Sequence, residues 1–287
     1  MEEVFQKKIE EVEDLLKDSP AALAQFKAQR QGGHQWLNYQ FMGRNMMSKV
    51  FQFALASRLL YPHFSSGSTQ NQLCHCRNLR RNPNREAVCL GDPKQEMHAF
   101  SCFAMKRETS ARHDILYKEL QKSLSKFLPQ LSFQREWQFW NPVRRKRLVV
   151  DLKLEAEDES FCYLIDFSFV NIASASTLSR APEALVNDRE KAKINKYTKF
   201  FSEDQMKFFV PFVMDSAGNV GKLALTFLKE LTLKQVNIEV DLKNEVLASL
   251  QACYWNWFFK FHMTFNDSFL NPSVEQRNNH DSSSFYE

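Results

Sequence analysis

Arg147-Leu-Val-Val-Asp151-Leu-Lys-Leu154, Tyr163-Leu-Ile-Asp166-Phe-Ser-Phe-Val170 and Lys191-Ala-Lys193-Ile-Asn-Lys196-Tyr197 are the three runs that decide the reading of this chain. The first two place an Asp inside β-branched and aromatic residues, which reads as strand. The polar stretch Glu155-Ala-Glu-Asp-Glu-Ser160 between them reads as a turn. A hairpin centred between Asp158 and Glu159 sets Asp151 opposite Asp166, with Cβ atoms roughly 5 Å apart. Two carboxylates side by side are unfavourable unless a cation neutralises them. The pattern therefore predicts a Mg2+ or Mn2+ site, because hard divalent cations take carboxylate oxygens. The plainer alternative is a strand-end Asp and a solvated edge Asp. Against it, Phe161, Tyr163, Ile165, Phe167 and Phe169 alternate with Cys162, Leu164, Asp166, Ser168 and Val170, so both faces are largely apolar. That is the composition of a central strand covered on both sides.

The chain has 287 residues, enough for one or two domains with a core. Its net charge of +4 is too small to imply nucleic-acid binding by itself, so the distribution of charge matters more. Basic residues gather at Arg77, Arg80, Arg81 and Arg85, at Arg144, Arg145, Lys146 and Arg147, and at Lys191, Lys193, Lys196 and Lys199. All three groups flank the candidate chemistry, which suits a polyanion such as DNA or RNA. The opening Met1-Glu-Glu-Val-Phe-Gln-Lys-Lys is acidic and amphipathic, unlike a secretory signal. No apolar run reaches the ~18 residues of a membrane span. The expectation is a chain of the nucleus or cytoplasm, not secreted, whose six cysteines are thiols or metal ligands.

Residues 1–62 read as a helical connector: one amphipathic helix over 2–30, broken near Asp18-Ser-Pro20, and a second run through Trp36, Val50, Phe51, Ala54 and Leu55. Residues 63–107 form a polar linker and a cysteine module, and residues 108–265 a mixed α/β domain. Within that domain the pattern predicts a helix from Ser110 to Pro129, strands at 131–140, 147–170 (the hairpin) and 206–213, and helices at 183–200, 220–232 and 239–262. Residues 266–287 read as a polar, disordered tail.

Cys74-His-Cys76 and His98-Ala-Phe-Ser-Cys102 form close ligand pairs set apart by a loop, which is how tetrahedral Zn2+ sites are built. The expected set is Cys74, Cys76, His98 and Cys102. Because a single residue separates Cys74 from Cys76, His75 and Cys89 compete for a place. Buried free thiols are the other reading.

The ordered set of these elements resembles the C-terminal region of site-specific non-LTR retrotransposon polyproteins, which carry a zinc knuckle and a restriction-enzyme-like endonuclease. The likeness runs through Cys74, Cys76, His98 and Cys102, then Arg112-His113-Asp114, Val150-Asp151, Asp166 and Lys193-Ile-Asn-Lys196-Tyr197, over roughly residues 34–232. It departs from the family pattern where Val150 replaces Pro and Asp114 replaces Asn. The resemblance implies a PD-(D/E)xK nuclease fold, a mixed sheet flanked by helices and preceded by a helical segment and the knuckle. It implies that Asp151 and Asp166 bind the catalytic metal and that a displaced Lys assists. The Lys normally two residues after the second acid is Ser168 here, so Lys193 or Lys196 takes that duty. Lys193, Lys196 and Tyr197 share one helix face; Lys193 is the favoured catalytic residue, with Lys196 and Tyr197 on phosphate or in support. Arg112 and His113 are implied in DNA contact or site support.

No Asp-Asp pair occurs in the sequence, so the polymerase metal motif of such polyproteins is missing from this chain. The leading expectation is an endonuclease module that nicks target DNA to prime reverse transcription, with element RNA and a separate reverse transcriptase domain as partners. Two rivals stand beside it. One is a nucleic-acid-binding module whose catalysis has decayed. The other is a zinc-stabilised interaction protein docking through the aromatic face at 253–262.

Overall fold

The computed structural model describes residues 2–31, 35–39, 46–58, 77–78, 87–88, 106–141, 145–157, 161–172, 174, 177–233 and 241–270. The cysteine module, apart from one short ladder, and the tail after 270 lie outside the described residues.

Helices α1 (Glu2–Leu15) and α2 (Pro20–Arg30) flank the expected break, with Pro20 opening the second, where its missing N–H costs nothing. The next run is divided: a 3-10 turn at Gln35–Tyr39 and α3 at Ser48–Arg58. Two-residue strands β1 (Arg77–Asn78) and β2 (Ala87–Val88) pair antiparallel; this ladder starts one residue after Cys76 and ends one before Cys89. Then come α4 (Lys106–Phe127), β3 (Leu131–Asn141), β4 (Lys146–Ala156), β5 (Cys162–Val170), α5 (Pro182–Tyr197), α6 (Glu203–Lys207), β6 (Phe209–Asp215), α7 (Lys222–Leu233) and α8 (Leu242–Leu270). Helix α4 begins four residues before Ser110, and α8 runs eight past 262. The last strand begins at Phe209, because Ser202 and Gln205 form a reciprocal capping box that nucleates α6 in front of it.

The fold is mixed α/β. Its four-stranded sheet has the order β3-β4-β5-β6, antiparallel through β5 and parallel between β5 and β6. A parallel neighbour requires a crossover, and α5 lies within it. As the sequence predicts, β5 is covered on both faces, with residues 163–168 all buried. One face meets α4, α7 and α8 in the main core, which holds Ile165, Phe167, Phe212, Leu120, Phe227 and Trp255. The other face meets α5 in a smaller cluster of Leu148, Val150, Leu164, Tyr197, Phe201 and Phe209.

The N-terminal segment is part of this packing. Trp36, Val50 and Phe53 join the main core, and the Trp36 N–H donates to Gln251 Oε1 at 3.1 Å, 215 residues away in sequence. Asn219 Nδ2 donates to the Ala28 carbonyl at 2.8 Å, tying α2 to the loop after β6.

Candidate catalytic centre

The hairpin follows the predicted register. Leu152 pairs with Ile165, Lys153 with Leu164 and Leu154 with Tyr163, so the next position sets Asp151 against Asp166. The backbone ladder stops there. In place of a strand bond, Asp151 Oδ2 accepts the Phe167 N–H at 2.6 Å.

Strand β4 turns over at this point. Neither Asp151 nor Glu136 across from it on β3 is paired, and Glu136 has φ of +50°, a conformation L residues rarely adopt. Leu152 and Leu154 lie in the main core, whereas Val150 and Leu148, of the same parity, lie in the smaller one. Regular alternation would put all four on one face. Asp151 therefore sits where the strand changes face and is reachable from α4 on one side and α5 on the other.

From α4, His113 Nε2 meets Asp151 Oδ2 at 2.9 Å, and the imidazole packs edge-on against Phe167 with centroids 5.8 Å apart. The hydrogen bond to Asp151 raises the His113 pKa above its usual value, against the opposing effect of burial. From α5, Lys193 Nζ pairs with Asp166 Oδ2 and stands 3.5 Å from the Phe167 carbonyl oxygen. The Tyr197 hydroxyl bridges Asp166 Oδ1 and the Val149 carbonyl, the latter at 3.0 Å. Burial and the negative charges of Asp166 and Asp151 hold the Tyr197 hydroxyl far above the ordinary tyrosine range, so it remains a proton donor. Lys196 Nζ donates to the same hydroxyl at 3.2 Å and lies 4.4 Å from its ring centroid.

The arrangement thus brings together Asp151, Asp166, Lys193, Lys196 and Tyr197, from three elements. Asp166 is 3% exposed, while the Asp151 side chain keeps 22% of its surface, so the cluster opens to solvent on the Asp151 side. Among the described residues no group of three or more His, Cys, Asp or Glu forms a metal cage by itself. The donor chemistry present still suits a hard cation. Asp151 takes the Phe167 N–H, while an ammonium nitrogen already lies between Asp166 Oδ2 and the Phe167 carbonyl, so the oxygens around this residue are of the kind a hard cation takes.

The remaining predicted residues are placed as follows. Arg112 lies behind the sheet, its guanidinium 3.6 Å above the Phe169 ring and 5.1 Å from Trp257. Burial lowers its pKa to about 10, which leaves it charged at neutral pH. Arg145 and Arg147 are exposed at the far end of the β3–β4 hairpin. Arg144 and the Lys146 side chain lie outside the described residues, as do Cys74, Cys76, His98 and Cys102.

One neighbour of the cluster was not anticipated. Arg189 Nε donates to Ser168 Oγ, so the residue at the usual lysine position is engaged from α5. Arg189 precedes Lys193 by four residues, one helical turn, and that spacing was the available signal. Glu190, 5% exposed, accepts the Leu223 N–H at 3.0 Å and so fastens α5 to the start of α7. Burial pushes its pKa up.

The sequence matches no protein-family model and none of the curated proteins. Among the described residues no helix is long and apolar enough to cross a membrane.

Proposed function

We propose that the chain is a metal-dependent DNA endonuclease module with a restriction-endonuclease-like core, of the kind that nicks target DNA to prime reverse transcription in non-LTR retrotransposons. The observation that carries this reading is the set of contacts around Phe167: Asp151 accepts its N–H, and Lys193, paired with Asp166, stands by its carbonyl, so β4, β5 and α5 meet beside the part-exposed Asp151. A Mg2+ or Mn2+ ion held by Asp151 and Asp166 would polarise the scissile phosphate and acidify water.

The protein's own part is positioning. His113 and the Phe167 N–H both hold the Asp151 carboxylate at Oδ2. Tyr197 fixes Asp166. With a cation on Asp166, Lys193 would be free to turn toward a phosphate oxygen or the attacking water and offset developing charge. Exposed Lys191, Lys196, Lys199, Arg145 and Arg147, with Arg144 and Lys146 from the sequence, would contact backbone phosphates. Arg112 packs over Phe169 and Trp257, which suits a supporting part better than phosphate contact.

A zinc ion on Cys74, Cys76, His98 and Cys102 belongs to the proposal on the strength of their spacing. So do a nuclear location, element RNA and a reverse transcriptase partner, each of which follows from the nicking role.

Supercoiled plasmid, incubated with the purified chain and Mg2+, Mn2+ or EDTA, tests the proposal. Nicking that requires metal and disappears in Asp151→Asn and Asp166→Asn is the expected result. Equal nicking by the variants would assign the activity to a contaminant. DNA binding that weakens steeply with salt, without cleavage under either metal, would leave a binding module that no longer cuts.

A further inference from the structure

Trp140, at the far end of the β3–β4 hairpin, is 57% exposed. Its neighbours on the opposite face are anchored: Trp137 and Phe139 stack at 6.1 Å, and Phe139 packs edge-on to Phe201 at 5.6 Å. The outer face is different. Trp140 pairs directly with Arg147, and Gln138 with Val149, so these four side chains share one side of the ladder. Gln138, Trp140 and Arg147 are exposed, and Val149 is 41% exposed. Arg145 stands in the turn at φ +47°. Over residues 138–149 the sequence has four basic residues and no acid.

An exposed indole beside an arginine, on an arm whose formal charge is entirely positive, is chemistry suited to a nucleotide. The ring and the guanidinium plane offer stacking surfaces for a base, and the cationic groups meet its phosphate. A duplex keeps its base faces stacked on one another, so the ligand that fits is a nucleotide whose base is unpaired. A protein partner would need an acidic surface to meet the same arm.

The arm also continues into the acid cluster. The Val149 carbonyl accepts from Tyr197, whose hydroxyl reaches Asp166. Arg147 precedes Asp151 by four residues, about 13 Å along a strand, or roughly four stacked nucleotides. We infer that the Trp140–Arg147 face is a stacking platform for an unpaired base of single-stranded nucleic acid, a few nucleotides from the acid cluster. The placement relative to the cut rests on the endonuclease reading; the binding does not.

Fluorescence gives a direct test, because Trp140 is the exposed one among the five tryptophans: Trp36, Trp255 and Trp257 are buried and Trp137 is half-buried. The full chain, in EDTA so that no cutting intervenes, is titrated with oligodeoxythymidylate, with oligouridylate and with a blunt duplex. Quenching by either single strand supports the platform and identifies DNA or RNA as the better ligand. Trp140→Ala should weaken single-strand binding about ten- to a hundredfold and abolish the quenching. Trp140→Phe, which keeps a ring, should recover part of the affinity, and duplex binding should change little in both variants. An unchanged thermal midpoint in Trp140→Ala verifies folding. Single-strand binding that is unaffected in Trp140→Ala, or saturating single strand without quenching, would overturn the inference.

Its failure is separable from that of the endonuclease reading. Quenching without any metal-dependent nicking removes the nuclease and keeps the platform. Nicking with a Trp140→Ala variant that binds single strands normally does the reverse.

Discussion

Replacing Lys193 by Met isolates the relation between the lysine and the acid pair. The Lys193 and Asp166 side chains retain 15% and 5% of their surface, so the pair is largely out of water. Removing one partner of a buried ion pair typically costs ~3–5 kcal/mol, because the other charge is left uncompensated. Asp166 keeps the Tyr197 donor, and Met fills the lysine stem's volume, which places the expected loss at the lower end, about 3 kcal/mol. In a domain of this size that corresponds to a thermal midpoint lower by roughly 6–12 °C. The endonuclease reading adds a second expectation. A cation bound by Asp151 and Asp166 takes over the compensation, and magnesium at a hundredfold excess over its dissociation constant returns ~2.7 kcal/mol. In the parent, Lys193 competes for the same oxygen, so the gain on adding magnesium should be smaller than in the variant. Urea unfolding of both proteins in EDTA and in Mg2+ measures all four stabilities. A variant as stable as the parent in EDTA would refute the buried-pair argument. A loss of 3 kcal/mol that magnesium does not diminish would refute the idea that this oxygen is a cation ligand.

Tyr197→Phe keeps the buried ring but removes the hydroxyl from Asp166 and the Val149 carbonyl; a loss of about 2 kcal/mol is expected by urea unfolding. Gly221→Ala brings a Cβ against Glu190 Oε1 and to 3.2 Å from Val186 Cγ1, where Glu190 is held by Leu223; calorimetry should show a loss of ~1–3 kcal/mol. Burial pushes the Asp215 pKa up to about 6, against the donors from Ala217 and Asn219. Because the folded pKa is above the unfolded one, its contribution is fully present below about pH 4 and is lost as pH rises through about 6. The parent should therefore lose on the order of 2 kcal/mol over that window relative to Asp215→Asn, and parallel urea midpoints for the two proteins would contradict it.

Much of the sheet and half of the candidate site were legible because their signals are local. The β5 alternation marked a strand buried on both faces, and the polar turn set a register that the ladder follows from Glu155 to Leu152. Helical spacing placed Lys193, Lys196 and Tyr197 together. What was not legible depends on tertiary geometry. The turnover of β4 at Asp151 comes from an irregularity shared with Glu136, and composition gives no sign of it. The meeting of His113 with Asp151 depends on how α4 crosses the sheet. Trp36 and Phe53 read as part of a separate connector, since nothing in their spacing names α8 as their partner.

That last contact bears on how the chain is made. The Gln35 and Trp36 turn closes on Gln251, 216 and 215 residues later, through hydrogen bonds in both directions. At ~5–20 residues per second, a ribosome needs on the order of 10–40 s to reach the second half of this clasp after making the first. Until then the Trp36 indole and the apolar side of α3 have no docking surface, whatever the sheet has achieved. The Trp36 turn and α3 are thus synthesised early and seated late. A chain stalled before residue 251 would present their apolar faces to chaperones, with the acid cluster already encoded and the clasp still open.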